Sequence, residues 1–266
     1  MLKTLGIFKL TIRENLRGQI LWSSAISGLV LILVMTFLSS AALSHESRII
    51  DVFSYFVSDQ MLLLVGIFSG AAICSTDFSA RGVAELYIPA GVSRRRLLLT
   101  RALGHAINLL FLALALYAIK LILPYLGRHP ALPVLKIQVI MFFFGFLKGV
   151  TALCIAMFIG SIARPLYSIL GTLTLFSFGH LTSTFDSLMG STNFSQSESQ
   201  LGFFSSLIYN VFKIWNPNLL VLESARGSWL IPSFESIIIS TLWAFGFILI
   251  SIGFTLVRLN RTDIRG

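Results

Sequence analysis

Apolar runs of about 20 residues recur from one end of this chain to the other, and a run of that length has few ways to fold. Six reach membrane length: 19–43, 52–76, 97–123, 134–160, 165–185 and 233–257. At about 1.5 Å per residue, each covers a hydrocarbon layer of about 30 Å as a helix. In lipid every backbone N–H and C=O needs a partner within its own segment, so these runs are predicted as helices. Of the 266 residues, 56% are hydrophobic and only 12% charged, about half the charged fraction of a soluble domain. The mean hydropathy is +0.87. The chain reads as one all-α polytopic membrane domain. A further apolar stretch, LGFFSSLIYNVFKIW (201–215), stops at Asn216-Pro217 after 15 residues. It would cover only about 22 Å as a helix, so it reads as an interfacial or re-entrant helix within a longer segment, 186–232.

Charge placement orients these spans. With the N-terminus in the cytoplasm, the inside segments hold thirteen of the twenty Lys and Arg, among them Lys3, Lys9, Arg13, Arg17, Arg81, Arg94, Arg95, Arg96 and Arg101. Five lie in the outside segments, and Lys120 and Lys148 fall within spans. That bias obeys the positive-inside rule. A full span at 201–215 would carry Arg258, Arg261 and Arg265 outside, against it. Six spans with both ends in the cytoplasm are therefore expected. The net charge of +9 then reflects orientation and anionic headgroups rather than nucleic acid.

The opening residues MLKTLGIFKLTIRENLRGQ carry charge through Arg17 and lack the short apolar core of a secretory signal. Leu5, Phe8, Ile12 and Leu16 share one helical face with Lys9, Arg13 and Arg17 alongside, so residues 2–18 suggest an amphipathic helix on the inner membrane surface. The plainer reading is a charged anchor for the first span. Cys74 and Cys154 both sit in apolar runs, where cysteine acts as a small hydrophobe, and no C-x-x-C spacing occurs.

Motifs for chemistry are scarce. There is no G-x-x-x-x-G-K-[ST] loop for nucleotide phosphates and no H-E-x-x-H zinc site. GIFSG (66–70) carries a glycine–serine pattern near that of rhomboid proteases, but Gly66 stands one residue too far from Ser69. Small residues in a span more often mark close helix packing. Lys148 falls in the middle of the fourth span, where a cation is costly. It is either part of a substrate path or gate, or satisfied by carbonyls or by a carboxylate such as Asp59 or Asp186, or carried by a span that sits off-centre in the bilayer. His180, in the fifth span, is a second candidate for such a path, although His105 and His180 both also suit ordinary hydrogen-bonded helix positions. Lys120 lies near the outer end of span three and can snorkel.

The most informative loop is 77–93, between spans two and three. TDFSARGVAELYIP forms a short helix on paper, with Asp77 or Ser79 as its cap and Pro89-Ala90-Gly91 as its stop. Ser93 can then cap the third span. Arg94, Arg95 and Arg96 crowd the first turn of that span, where the helix dipole disfavours cations. They fix topology, grip lipid phosphates or meet an acidic partner surface. A short helix bearing Glu85, followed by a Pro-Gly turn, suits a rigid protrusion that docks a protein.

Residues 80–104, ARGVAELYIPAGVSRRRLLLTRALG, resemble the cytoplasmic loop of ABC-2 type transporter permeases. That loop reads as an acidic residue, a short apolar stretch, Pro-x-x-x-[ST]-R and an apolar helix with a basic start. Glu85, Pro89, Ser93, Arg94 and Arg101 match it, whereas Gly91 and the triple arginine are this chain's own. NPNLLVLESARG (216–227) is similar to the segment before the last span in the nitrous-oxide-reductase maturation and gliding-motility branch, with Leu220 and Val221 where that branch commonly has His-Phe. FTLVRLNRTDI resembles the family's C-terminal end. The resemblance implies a permease subunit with no catalytic or metal site of its own, in a bacterial or archaeal cytoplasmic membrane. ATP and Mg would be handled by a separate ATPase, in two copies, against a permease dimer. Loop 77–93 would be the coupling helix, with Glu85, Leu86, Tyr87 and Pro89 docked on the ATPase and Arg94, Arg95 and Arg96 against acidic groups or phospholipid. A membrane anchor that moves nothing and an ion-coupled carrier are the alternative classes.

Overall fold

The structure, a computed structural model, describes residues 2–17, several positions between 22 and 37, 46–78, 88, 91–126, 132–191 and 234–261. Every regular element among the described residues is helical. They are α1 (Leu2–Arg17), α2 (Glu46–Ala72) with a π-helical continuation at Ile73–Asp77, α3 (Arg94–Leu126), α4 (Leu132–Gly160), α5 (Pro165–Ser191) and α6 (Phe234–Arg261).

Four of these helices are long and apolar enough to cross a membrane, over Val57–Ser75, Arg94–Ala118, Val139–Gly160 and Ile237–Asn260, and α5 holds a shorter apolar stretch, Pro165–Gly179. The chain therefore has the make-up of a multi-pass membrane protein. The expected first span, 19–43, lies mostly outside the described residues. Where it is described it is helical, with Trp22, Ile26, Leu29, Leu33 and Phe37 exposed. Gly28, on the other side, lies against Leu116 and Met61. Segment 192–232, with the stretch expected to form an interfacial helix, also lies outside the described residues.

α2 and α4 run parallel and form the tightest seam. Leu62 meets Gly145 and Gly149, Gly70 meets Leu153 and Ala156, and Ala71 meets Gly160. A Cβ on Gly66 would stand 2.3 Å from the Gly149 carbonyl oxygen, and one on Gly70 2.1 Å from that of Leu153. No side chain fits there. GIFSG and the facing GFLKG (145–149) are thus glycine-paired packing surfaces of the kind that lets helices associate in lipid. Helix packing explains Ser69's flanking glycines, not protease chemistry.

α3 runs antiparallel to α4, with the Tyr117 hydroxyl donating to the Met141 carbonyl at 2.9 Å and its ring meeting Phe142 edge to face. Between α2, α3 and α4 lies the main apolar core, around Leu62, Leu109, Leu112, Phe144 and Leu153. A second cluster, Leu63, Ile67, Ala152, Phe176 and Phe247, brings α5 and α6 onto the same seam. After α4 the chain turns within four residues. Ser161 N–H donates to the Met157 carbonyl, Pro165 opens α5, and Ser168 Oγ reaches back to the Ala156 carbonyl at 2.6 Å. Proline suits that first helical position because its missing N–H has no partner to lose. Buried hydroxyls elsewhere (Thr11, Thr151, Thr172, Thr255) donate to the carbonyl four residues back, a way to satisfy a polar group without water.

Candidate functional site

Two places in the bundle concentrate polar chemistry: the end where α3 begins, and the middle of the α2–α4 seam. At the first, a turn bond joins Gly91 N–H to the Ile88 carbonyl at 3.0 Å, with Gly91 at φ 82°. That left-handed conformation strains any residue with a Cβ. Ser93 follows as the N-cap expected of it. Its Oγ accepts from Arg96 N–H at 3.4 Å, and its carbonyl accepts from Leu97 N–H. Val92 and Leu97 bury against Ile7 of α1, closing the base of the helix.

The three arginines then part company. Arg94 is half-buried and its Nη1 donates to the Leu259 carbonyl at 2.8 Å. Leu259 lies in the last turn of α6, where carbonyls lack helical partners and the dipole is negative. The cation that opposes the dipole of its own helix thus complements that of another. Arg95 and Arg96 are exposed. The three roles considered for this cluster did not include helix capping, and Arg94 adds it.

α1 lies along the first turns of α3. Arg101, buried, gives Nη1 to Glu14 Oε2 at 2.6 Å and to Thr11 Oγ1 at 3.2 Å. A Cβ on Gly104 would come within 2.6 Å of the Thr11 methyl, so glycine lets the two helices touch. The face of α1 turned to α3 is therefore Ile7 and Thr11, both buried, with the exposed Glu14 at its edge. Leu5, on the apolar face foreseen from the sequence, is 67% exposed and available to a surface other than this bundle. Lys9, Arg13, Arg95, Arg96, Arg164 and Arg258 are all exposed at this same end, a basic rim where α3 and α5 begin and α4 and α6 end.

In the seam itself, Lys148 Nζ lies 2.8 Å from Asp59 Oδ2, with the side chains 2% and 3% exposed. The Phe176 ring of α5 stands over the ammonium, 5.9 Å from the nitrogen to its centroid. Of the ways to satisfy Lys148 considered from the sequence, the one with Asp59 is observed. Lys148 is twelve residues, about 18 Å of helix, from the end of α4. Removing one partner of such a pair leaves an uncompensated charge, a loss of about 3–5 kcal/mol where it has been measured.

Among the other expected site residues, Glu85, Leu86, Tyr87 and Pro89 lie outside the described residues, as does most of the loop 77–93 expected to form a coupling helix. His180 is in α5, its side chain outside the described residues. His105 is half-buried on α3, one turn beyond Arg101. Among the described residues no three His, Cys, Asp or Glu side chains converge on one point. Cys74 and Cys154 are buried and not disulfide-bonded. The π-helical turn at Ile73–Asp77 had no signal in hydrophobic periodicity. It ends α2 at the entrance to loop 77–93, and such turns recur at functional sites.

Compared with protein-family models and with curated proteins, the chain matches none.

Proposed function

We propose that this chain is the membrane subunit of an ABC-2 type transporter, moving a substrate across the cytoplasmic membrane on ATP hydrolysed by a separate subunit. The observation that carries the reading is the construction at the start of α3. A loop resembling the coupling segment of that family leads through the Gly91 turn and the Ser93 cap into a long apolar helix. Arg94 ties the base of that helix to the end of α6. A push on loop 77–93 would therefore reach two membrane helices at once, and α1 would follow α3 through Arg101.

In this reading two ATPase subunits bind ATP and Mg beneath a dimer of the chain, both termini of which are cytoplasmic. Six spans cross the bilayer, and α1 rests its exposed apolar face on the inner leaflet, with phospholipid headgroups at the basic rim. Closing the ATPase pair presses the coupling helix, through Glu85, Leu86, Tyr87 and Pro89, and the bundle switches between inward- and outward-facing arrangements. No ATP hydrolysis takes place on this chain.

One observation favours a second reading, a carrier driven by an ion gradient. Asp59 is a carboxylate buried in mid-bundle, and such groups serve as relays in pumps and transporters. Purifying the tagged full chain from its native membranes in mild detergent separates the readings. The ABC assignment predicts a stoichiometric second subunit with vanadate-sensitive ATP hydrolysis. A preparation of this chain alone, with no such activity, contradicts it and leaves the carrier. A bound ATPase whose rate ignores the loop marks a membrane anchor.

A further inference from the structure

The cations of the basic rim do not stand alone. On three helices an exposed apolar or aromatic side chain lies one turn further into the bundle. Leu99 follows Arg96 on α3, Tyr167 follows Arg164 at the start of α5, and Phe254 precedes Arg258 on α6. α6 ends where α3 and α5 begin, and its order is reversed to match. The cation is therefore always the group nearer the helix end. Residues three or four apart stand one above the other on a helix, so charge and greasy surface form two tiers around the same end.

That order belongs to a membrane boundary. Aromatic rings settle at the headgroup level, and long cationic side chains reach past them toward the polar side. A face covered by a soluble protein has no reason to repeat the sequence on three helices. α1 adds the same mixture: Lys9 and Arg13 lie one turn apart on the side away from Thr11, beside the exposed Leu5 and Leu10.

Lys9, Arg13 and Arg164 enter no ion pair among the described residues. Glu14, the one acid at this end whose side chain is described, is bonded to Arg101. The countercharge for these three cations must come from outside the described bundle. Membrane orientation explains their sign, but not their place beside exposed apolar groups.

We propose that Lys9, Arg13 and Arg164 hold the headgroups of acidic phospholipids, so that the bundle gathers acidic in preference to zwitterionic lipid around its inner end. A zwitterionic headgroup brings its own ammonium beside the phosphate and leaves the cation uncompensated, whereas an acidic one matches it. The inference rests on the placement of the rim at the inner leaflet proposed above, not on what drives the bundle. Arg95 and Arg96, beside loop 77–93, take no part in it.

The test uses the full chain alone, reconstituted in phosphatidylcholine vesicles with traces of spin-labelled phosphatidylglycerol or spin-labelled phosphatidylcholine. Electron spin resonance then gives the relative affinity of the two lipids for the protein surface. At low salt the unaltered chain is expected to prefer phosphatidylglycerol about fivefold, the factor made by one cation near an anionic headgroup. Lys9→Gln, Arg13→Gln and Arg164→Gln together, which alter exposed side chains only, are expected to remove most of that preference. Salt at about 1 M, where screening leaves a range of only about 3 Å, is expected to do the same without any substitution. Equal affinity for both lipids in the unaltered chain overturns the proposal and leaves the rim to an acidic protein surface. A preference that survives both the triple substitution and the salt overturns it as well. Neither result touches the ATPase assignment, since no ATPase is present.

Discussion

Arg94 and Leu259 lie 165 positions apart in the chain and 2.8 Å apart in space, guanidinium to carbonyl. Through that contact the N-terminal end of α3 holds the C-terminal end of α6, and a positive charge that its own helix disfavours finds a negative helix end to serve.

Replacing Arg94 with alanine removes the donor and leaves the last turn of α6 to fray. A hydrogen bond from a charged group is worth about 1.5–3 kcal/mol when buried, and half-burial reduces it. Amide hydrogen exchange over residues 256–260 is therefore expected to quicken by about tenfold, equivalent to about 1.4 kcal/mol. Exchange at the start of α2 serves as the unaffected reference. Equal protection in both proteins would show that the contact holds nothing.

The glycines of the seam and those of α6 make opposite predictions. Gly70→Ala places a methyl 2.1 Å from the Leu153 carbonyl oxygen, a backbone atom that cannot step aside. The helices must separate, at an overpacking cost of about 1–3 kcal/mol. Gly246 and Gly253 have nothing within 4 Å of an added Cβ, so alanine there is expected to leave thermal stability in detergent unchanged or raised. A Gly70→Ala protein as stable as the Gly246→Ala protein would contradict the described α2–α4 approach.

Much of this was legible from residue pattern. The apolar runs located the helices, because a long apolar segment has little alternative to a helix in lipid. Ser93 and Gly91 were readable since caps and turns depend on neighbours in sequence. Lys148 announced a partner because a lone cation in an apolar run must have one, and Asp59 was one of two carboxylates named for it. What pattern could not show is pairing across distance. Arg94 meets a backbone carbonyl, which every residue has, so no residue type at position 259 could signal it. The face of α1 that meets α3 was not legible for a related reason. Periodicity marks Leu5, Phe8 and Ile12, the apolar face expected at the membrane surface, and says nothing of Ile7 and Thr11, which a glycine, Gly104, admits against α3. One signal was present: Glu14 is the lone acid among the first 45 residues, and it sits on that face.

Glu14→Gln tests how firmly α1 is held. Arg101 is buried and Glu14 is 47% exposed, so screening limits the pair to about 1 kcal/mol. A double-mutant cycle with Arg101→Gln is expected to return a coupling of about that size. Trypsin is also expected to cut at Lys9 and Arg13 faster in Glu14→Gln than in the unaltered chain. A coupling of zero, with unchanged cleavage, would mean that Ile7 and Thr11 alone seat the helix.

In the proposed function, an ATPase drives this bundle through the loop before α3. Arg95 and Arg96 are exposed beside that loop, whereas Arg94 is tied to α6. Reversing both, Arg95→Glu with Arg96→Glu, spares the Arg94–Leu259 contact. The deciding measurement is the vanadate-sensitive ATP hydrolysis of the assembly purified from native membranes, compared between the unaltered chain and this variant at equal membrane insertion. Hydrolysis is expected to lose its dependence on the membrane subunit in the variant while the unaltered assembly retains it. Identical hydrolysis and identical recovery of the ATPase with both chains would contradict it.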